Sequence, residues 1–89
     1  MPTVGEFKDF AIIRKRVSEV FWRYGFQGRG CAIAFRCMIE RGALVADRYD
    51  PDWGSTDAGE LAVHEAVMIL LKTERKAVST VFLEIRRAI

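Results

Sequence analysis

His64 is the one imidazole in a chain of 89 residues. A general base needs an orienting partner and a nucleophile or substrate within reach. Glu60 lies one helical turn before it and offers an orienting contact, but no serine or cysteine stands at a fixed spacing from it. A histidine at the edge of an apolar helical stripe then reads as structural. Cys31 and Cys37 are six residues apart, which matches neither a disulfide framework nor the usual zinc spacing. They read as free thiols packed as small hydrophobes. Asp47, Asp50, Asp52 and Asp57 concentrate acid in one stretch, yet the order of a calcium loop and its closing glutamate are missing. Gly25, Gly28 and Gly30 follow a helix, whereas a phosphate-cradling loop follows a strand. The expectation is a chain with no catalytic site, no metal site and no cofactor.

What remains is binding chemistry. Arg14, Lys15, Arg16 and Arg23 fall on one helix and Arg29 in the connection after it, a set able to track a phosphate backbone. Trp22, beside Arg23, is suited to stack on a base. The same residues also read as a solvated helix face. Phe21, Trp22, Tyr24 and Phe26 place four aromatics in six residues, too many for one helix to turn into one core. Phe21, Trp22 and Phe26 are therefore candidate interface residues, and a homodimer is one expected use of them.

Charge is distributed in blocks although the net value is only +2. Eight basic residues face four acids up to Ala46, one faces six from Asp47 to Glu65, and five face two beyond that. This basic, acidic, basic order is compatible with nucleic-acid contact by the ends, and equally with two segments forming ion pairs to a third. A chain this short buries roughly 60–65 % of its unfolded surface, enough for one modest core and too little for a deep enclosed site. The hydrophobic fraction of 51 % argues for a folded globule. Charges interrupt every apolar run before membrane-spanning length, and no secretory signal pattern opens the chain. A cytoplasmic protein without membrane contact is expected.

The elements that must position these residues are mostly helical. Phe7, Phe10, Val17, Phe21 and Tyr24 recur at helical spacing, with Ile13 and Val20 widening the stripe, and predict a helix from Gly5 to Tyr24 ended by Gly25. Three glycines between Gly25 and Gly30 predict a flexible connection. Residues 31–46 read two ways. As a helix, Cys31, Ala34, Phe35, Met38 and Ile39 share a face and Gly42 ends it. As a strand, Cys31, Ile33, Phe35, Cys37 and Ile39 alternate, and Arg41-Gly42 turns a hairpin into Ala43–Tyr49. The helix is preferred because alanine, methionine, glutamate and arginine favour it. Asp47 to Thr56 is a loop in which Trp53 folds back to cap the core. Asp57 and Glu60 form a capping box, opening a helix with a face of Leu61, His64, Val67, Met68 and Leu71, broadened by Ile69 and Leu70. A break at Lys72-Thr73, with Thr73 as cap, precedes a last helix from Glu74 to about Arg87 presenting Val78, Val81, Phe82, Ile85 and Ile89; the alternative is one unbroken helix from Asp57 to Ala88. The fold class is mostly α, one domain in a compact bundle of three to four helices, with α+β and a hairpin at 31–49 as the alternative.

Two stretches carry a resemblance. Val20-Phe21-Trp22-Arg23-Tyr24-Gly25 is similar to the tryptophan-rich opening of the family of phage antitermination proteins of the Q type. Thr56-Asp57-Ala58-Gly59-Glu60-Leu61-Ala62-Val63-His64-Glu65-Ala66-Val67, then Leu71 and Glu74-Arg75-Lys76-Ala77-Val78, resembles the helices preceding its DNA-reading helix-turn-helix. Together they cover roughly half the chain. The sequence stops at Ile89, where the family continues into a recognition helix, and it lacks the cysteine pairs of the zinc-bearing members. The resemblance thus implies a shortened regulator that contacts RNA polymerase or another regulator rather than reading DNA sequence. The leading expectation is a small phage- or prophage-type regulatory protein that binds a transcription protein or nucleic acid through its basic, aromatic first helix. The alternative is an interaction module, or an inhibitor of a host protein, that binds no nucleic acid.

Overall fold

A computed structural model describes residues 15–26 and 28–89. Arg14 and the expected helical stripe from Phe7 to Ile13 lie outside the described residues. Four helices carry the fold: α1 (15–23), α2 (Gly28–Glu40), α3 (Ala58–Met68) and α4 (Val78–Ala88). A hairpin of two short antiparallel strands, β1 (Leu44–Val45) and β2 (Arg48–Tyr49), separates α2 from α3. A π-helical turn, Ile69–Thr73, extends α3 before the chain reverses into α4.

The mostly helical expectation holds, and residues 31–40 are helix. The face assigned to that helix is the one buried: Cys31, Ala34, Phe35 and Met38 lie in the core, with Ile39 packed against it. The hairpin alternative survives only downstream. Its register is Leu44↔Tyr49 and Val45↔Arg48, so it turns at Ala46-Asp47 and not at Arg41-Gly42. Gly42 instead ends α2. With φ +77°, it lets its own N–H reach the Ile39 carbonyl and the Ala43 N–H reach that of Met38. Gly25 (φ +76°) ends α1 identically, its N–H reaching Trp22 and that of Phe26 reaching Phe21. Both are Schellman endings, in which a left-handed residue satisfies carbonyls the helix leaves open.

Three local expectations are corrected. Gly28, Arg29 and Gly30 form the first turn of α2 and not a flexible connection. The reason lies in packing: the Phe26 ring covers Gly30, where a Cβ would stand 2.7 Å from Phe26 Cδ1. The same ring lies over Gly59 of α3, whose added Cβ would also meet Ala34 at 3.2 Å. α3 therefore turns inward its small residues Gly59, Ala62, Val63 and Ala66, together with Val67 of the expected face, while Leu61, Met68 and Leu71 are only half-buried. Small side chains win the inner face because they let two helix backbones approach. Finally, Thr73 lies inside the π turn and caps nothing. α4 starts at Val78, with Ala77 at its N-cap.

One cluster joins all these elements, from Val17, Val20 and Phe21 through Met38, Leu44 and Val63 to Leu70, Val81 and Ile85. Gly30→Ala tests the crossing. Alanine in place of a helical glycine normally stabilises by roughly 0.5–1 kcal/mol. Here the sign is expected to reverse, with a loss of about 1 kcal/mol from displacing the Phe26 ring. A urea midpoint that rises on this substitution would contradict the tight contact.

Candidate functional site

Trp22 sits near the end of α1, off the buried stripe of Val17, Val20 and Phe21. It is 66 % exposed, while Phe21, one residue earlier, is 3 % exposed. Of the three aromatic interface candidates, Phe21 is thus committed to the core and Phe26 is half-buried against Gly30 and Gly59. Trp22 alone of the three projects a large apolar surface outward. Lys15 and Arg29 are also exposed.

The basic residues around Trp22 are partly neutralised from within. Arg16 is ion-paired to Glu74, and Arg23 Nη1 lies 2.7 Å from Glu65 Oε1. The nearby Glu65 carboxylate also favours the protonated Tyr24 phenol and raises its pKa above the usual value; desolvation adds to this. The block pattern of charge therefore has a folded counterpart, since the basic start of the chain pairs with acids of α3 and of the segment after it. Exposed pairs of this kind contribute about 0.2–1 kcal/mol each, so their effect is on the surface potential more than on stability. Among the described residues, Lys15 and Arg29 make no ion pair.

A second arrangement was not visible as a unit in the sequence. At the end of α2, one Arg41 guanidinium nitrogen reaches both Glu60 oxygens, at 2.8 and 2.9 Å. Glu60 is 4 % exposed and also accepts the Ser55 hydroxyl. Asp57 caps α3 as expected, taking the Glu60 N–H at 3.0 Å. The other half of the capping box is replaced. Ser55 Oγ accepts the Asp57 N–H at 3.1 Å, and the Glu60 carboxylate turns to the cation instead. A charge-assisted bond to Arg41 outweighs a neutral backbone donor.

The Arg41 guanidinium also lies 5.0 Å from the centre of the Trp53 ring. Trp53 packs on the core from its loop, as its sequence context indicated. Its ring stands 6.5 Å from that of His64, and His64 Nδ1 is hydrogen-bonded to Tyr49 Oη. The orienting partner of His64 is thus Tyr49 and not Glu60. The imidazole ties the hairpin to α3, with aromatic rings as its neighbours.

Between α2 and the segment 54–60 lies an open groove of about 1020 Å³, bounded by Phe26, Ile33, Cys37, Arg41, Ser55 and Asp57. Ile33 is 56 % exposed there. Its exposure was legible, because the helical face assigned to residues 31–39 leaves it out. Arg41 gave no such signal, since its partner lies nineteen positions away. Cys31 is fully buried and burial pushes its thiol up to about 11, which suits a packing role. Among the described residues no group of three His, Cys, Asp or Glu is placed to hold a metal ion, and no helix is long and apolar enough to cross a membrane.

No family model matches the chain, and neither a curated protein nor a solved structure matches it.

Proposed function

We propose that the chain is a small regulatory binding module that acts on a protein partner through the end of α1, with Trp22 as the anchor. The observation that carries this reading is the 66 % exposure of Trp22 beside cations already paired to the chain's own acids. An exposed tryptophan is a strong anchor for a protein interface. Paired guanidiniums are poorer phosphate ligands, because Glu65 and Glu74 must be displaced first. The resemblance to Q-type antitermination proteins makes RNA polymerase, or a regulator bound to it, the first partner to try. Inhibition of a host protein without nucleic acid is the same mode with another target.

The test is retention of purified RNA polymerase on the immobilised protein, alongside a gel shift with DNA and RNA at two salt concentrations. Retention is expected to fall about tenfold or more with Trp22→Ala, the scale of an interface hot spot, and no gel shift is expected. Nucleic-acid binding that weakens steeply with salt and with Lys15→Ala plus Arg29→Ala, yet ignores Trp22→Ala, would transfer the function to nucleic acid.

A further inference from the structure

On another side of the molecule, α2 and α4 enclose a groove of about 490 Å³. Its base is apolar: Phe35, Ile39, Phe82 and Ile89 line it, and the Phe35 and Phe82 rings pack 5.3 Å apart. All four are buried or half-buried, whereas the charged lining residues Arg36, Glu40 and Arg86 are exposed and form the rim. Arg36 comes from α2 and Arg86 from α4, so two guanidiniums stand on opposite banks. Among the described residues neither makes an ion pair or a side-chain hydrogen bond. Glu40 is the single acid on the rim.

The groove differs in this respect from the one beside Arg41, whose charges are satisfied internally. An apolar trough with unpaired cations on both banks complements a ligand with an apolar ridge flanked by anions. The lining residues of α2 run from Ala32 to Glu40, roughly 12 Å along a helix axis. That matches a partner helix presenting apolar anchors at i, i+4 and i+7. We propose that this groove docks an acidic amphipathic helix of a partner protein, its apolar ridge on Phe82 and Ile39 and its carboxylates at Arg36 and Arg86. This surface is separate from Trp22, so either assignment can fail while the other stands.

The probe is a fluorescein-labelled, stapled peptide of about fifteen residues with leucines at i, i+4 and i+7 and flanking glutamates. Fluorescence anisotropy against the full chain is expected to show saturable binding, at least about tenfold weaker for the Arg36→Glu, Arg86→Glu double variant. Both side chains are exposed and unpaired, so that variant keeps the fold, and circular dichroism checks it. Trp22→Ala is expected to leave the binding unchanged. The proposal is overturned by absence of binding, by equal affinity for a lysine-flanked peptide, or by full binding to the double variant. Loss of binding with Trp22→Ala, or uptake onto phosphatidylglycerol vesicles without peptide binding, would overturn it too.

Discussion

Arg41→Ala is expected to cost about 2–3 kcal/mol of stability, more than removal of an exposed arginine normally does. The asymmetry between the two partners is the reason. Arg41 has half of its side chain in water, but the Glu60 side chain is only 6 % exposed. Removing the cation leaves a buried carboxylate with Ser55 as its remaining side-chain donor. Removing the acid leaves a guanidinium that water and the Trp53 ring still accommodate. Glu60→Ala should therefore cost less than Arg41→Ala, about 1–2 kcal/mol. The double variant should be less destabilised than the sum of the two, and a double-mutant cycle by urea denaturation measures that difference. Equal losses for the two single variants, or simple additivity, would show that Glu60 is hydrated and that the pair does not act as a unit.

The larger effect is expected at Leu70. It is fully buried and is the buried residue of the π turn, the element that ends α3 and swings the chain toward α4. The connection it anchors is irregular. Arg75 has φ +53°, a conformation that costs a non-glycine residue about 1–2 kcal/mol. The Glu74 N–H reaches the Ile69 carbonyl and that of Lys76 reaches Leu70. Lys76 also bridges to Glu84 of α4 at 3.0 Å. Cutting Leu70 to alanine removes buried methyl groups where the backbone is already displaced from regular helix. A loss of about 3–4 kcal/mol is expected, a large share of the roughly 5–10 kcal/mol available to a domain of this size. A thermal midpoint for Leu70→Ala within a degree or two of the parent's would mean that the π turn is held by its hydrogen bonds alone.

The parts of this structure that the sequence announced are those decided within a few residues. Gly25 and Gly42 each stand where a helix needs a left-handed residue, and both end one. Asp57 stands three residues before an amide it can cap. Cys31, Ala34, Phe35 and Met38 recur at one spacing and share one buried face. Trp22 falls off the stripe of Val17 and Phe21, and it is exposed.

The features the sequence did not announce depend on how side chains pack between elements. Gly28 and Gly30 look like a break until the Phe26 ring is found lying on Gly30. The inner face of α3 is read wrongly when large residues are weighted over small ones, because the fit of Ala62 and Ala66 depends on how closely α2 approaches. The destination of the Glu60 carboxylate was decided by a guanidinium nineteen positions away. The charge blocks carried both of their possible meanings equally, and the contacts of Arg23 with Glu65 and of Arg41 with Glu60 favour the internal one.

The Phe26 ring resting on Gly30 and Gly59 has a further consequence, one that concerns inheritance rather than energy. Three positions spread over thirty-four residues share one volume, so none of them can drift independently. A larger side chain at Gly30 becomes tolerable only after Phe26 has shrunk, and a shrunken Phe26 invites Gly30 to grow; one at Gly59 must displace the Ala34 methyl and the Asp57 carboxylate as well. Substitutions there should be accepted in a fixed order, and descendants of this chain should carry matched sets at the three sites instead of a free mixture.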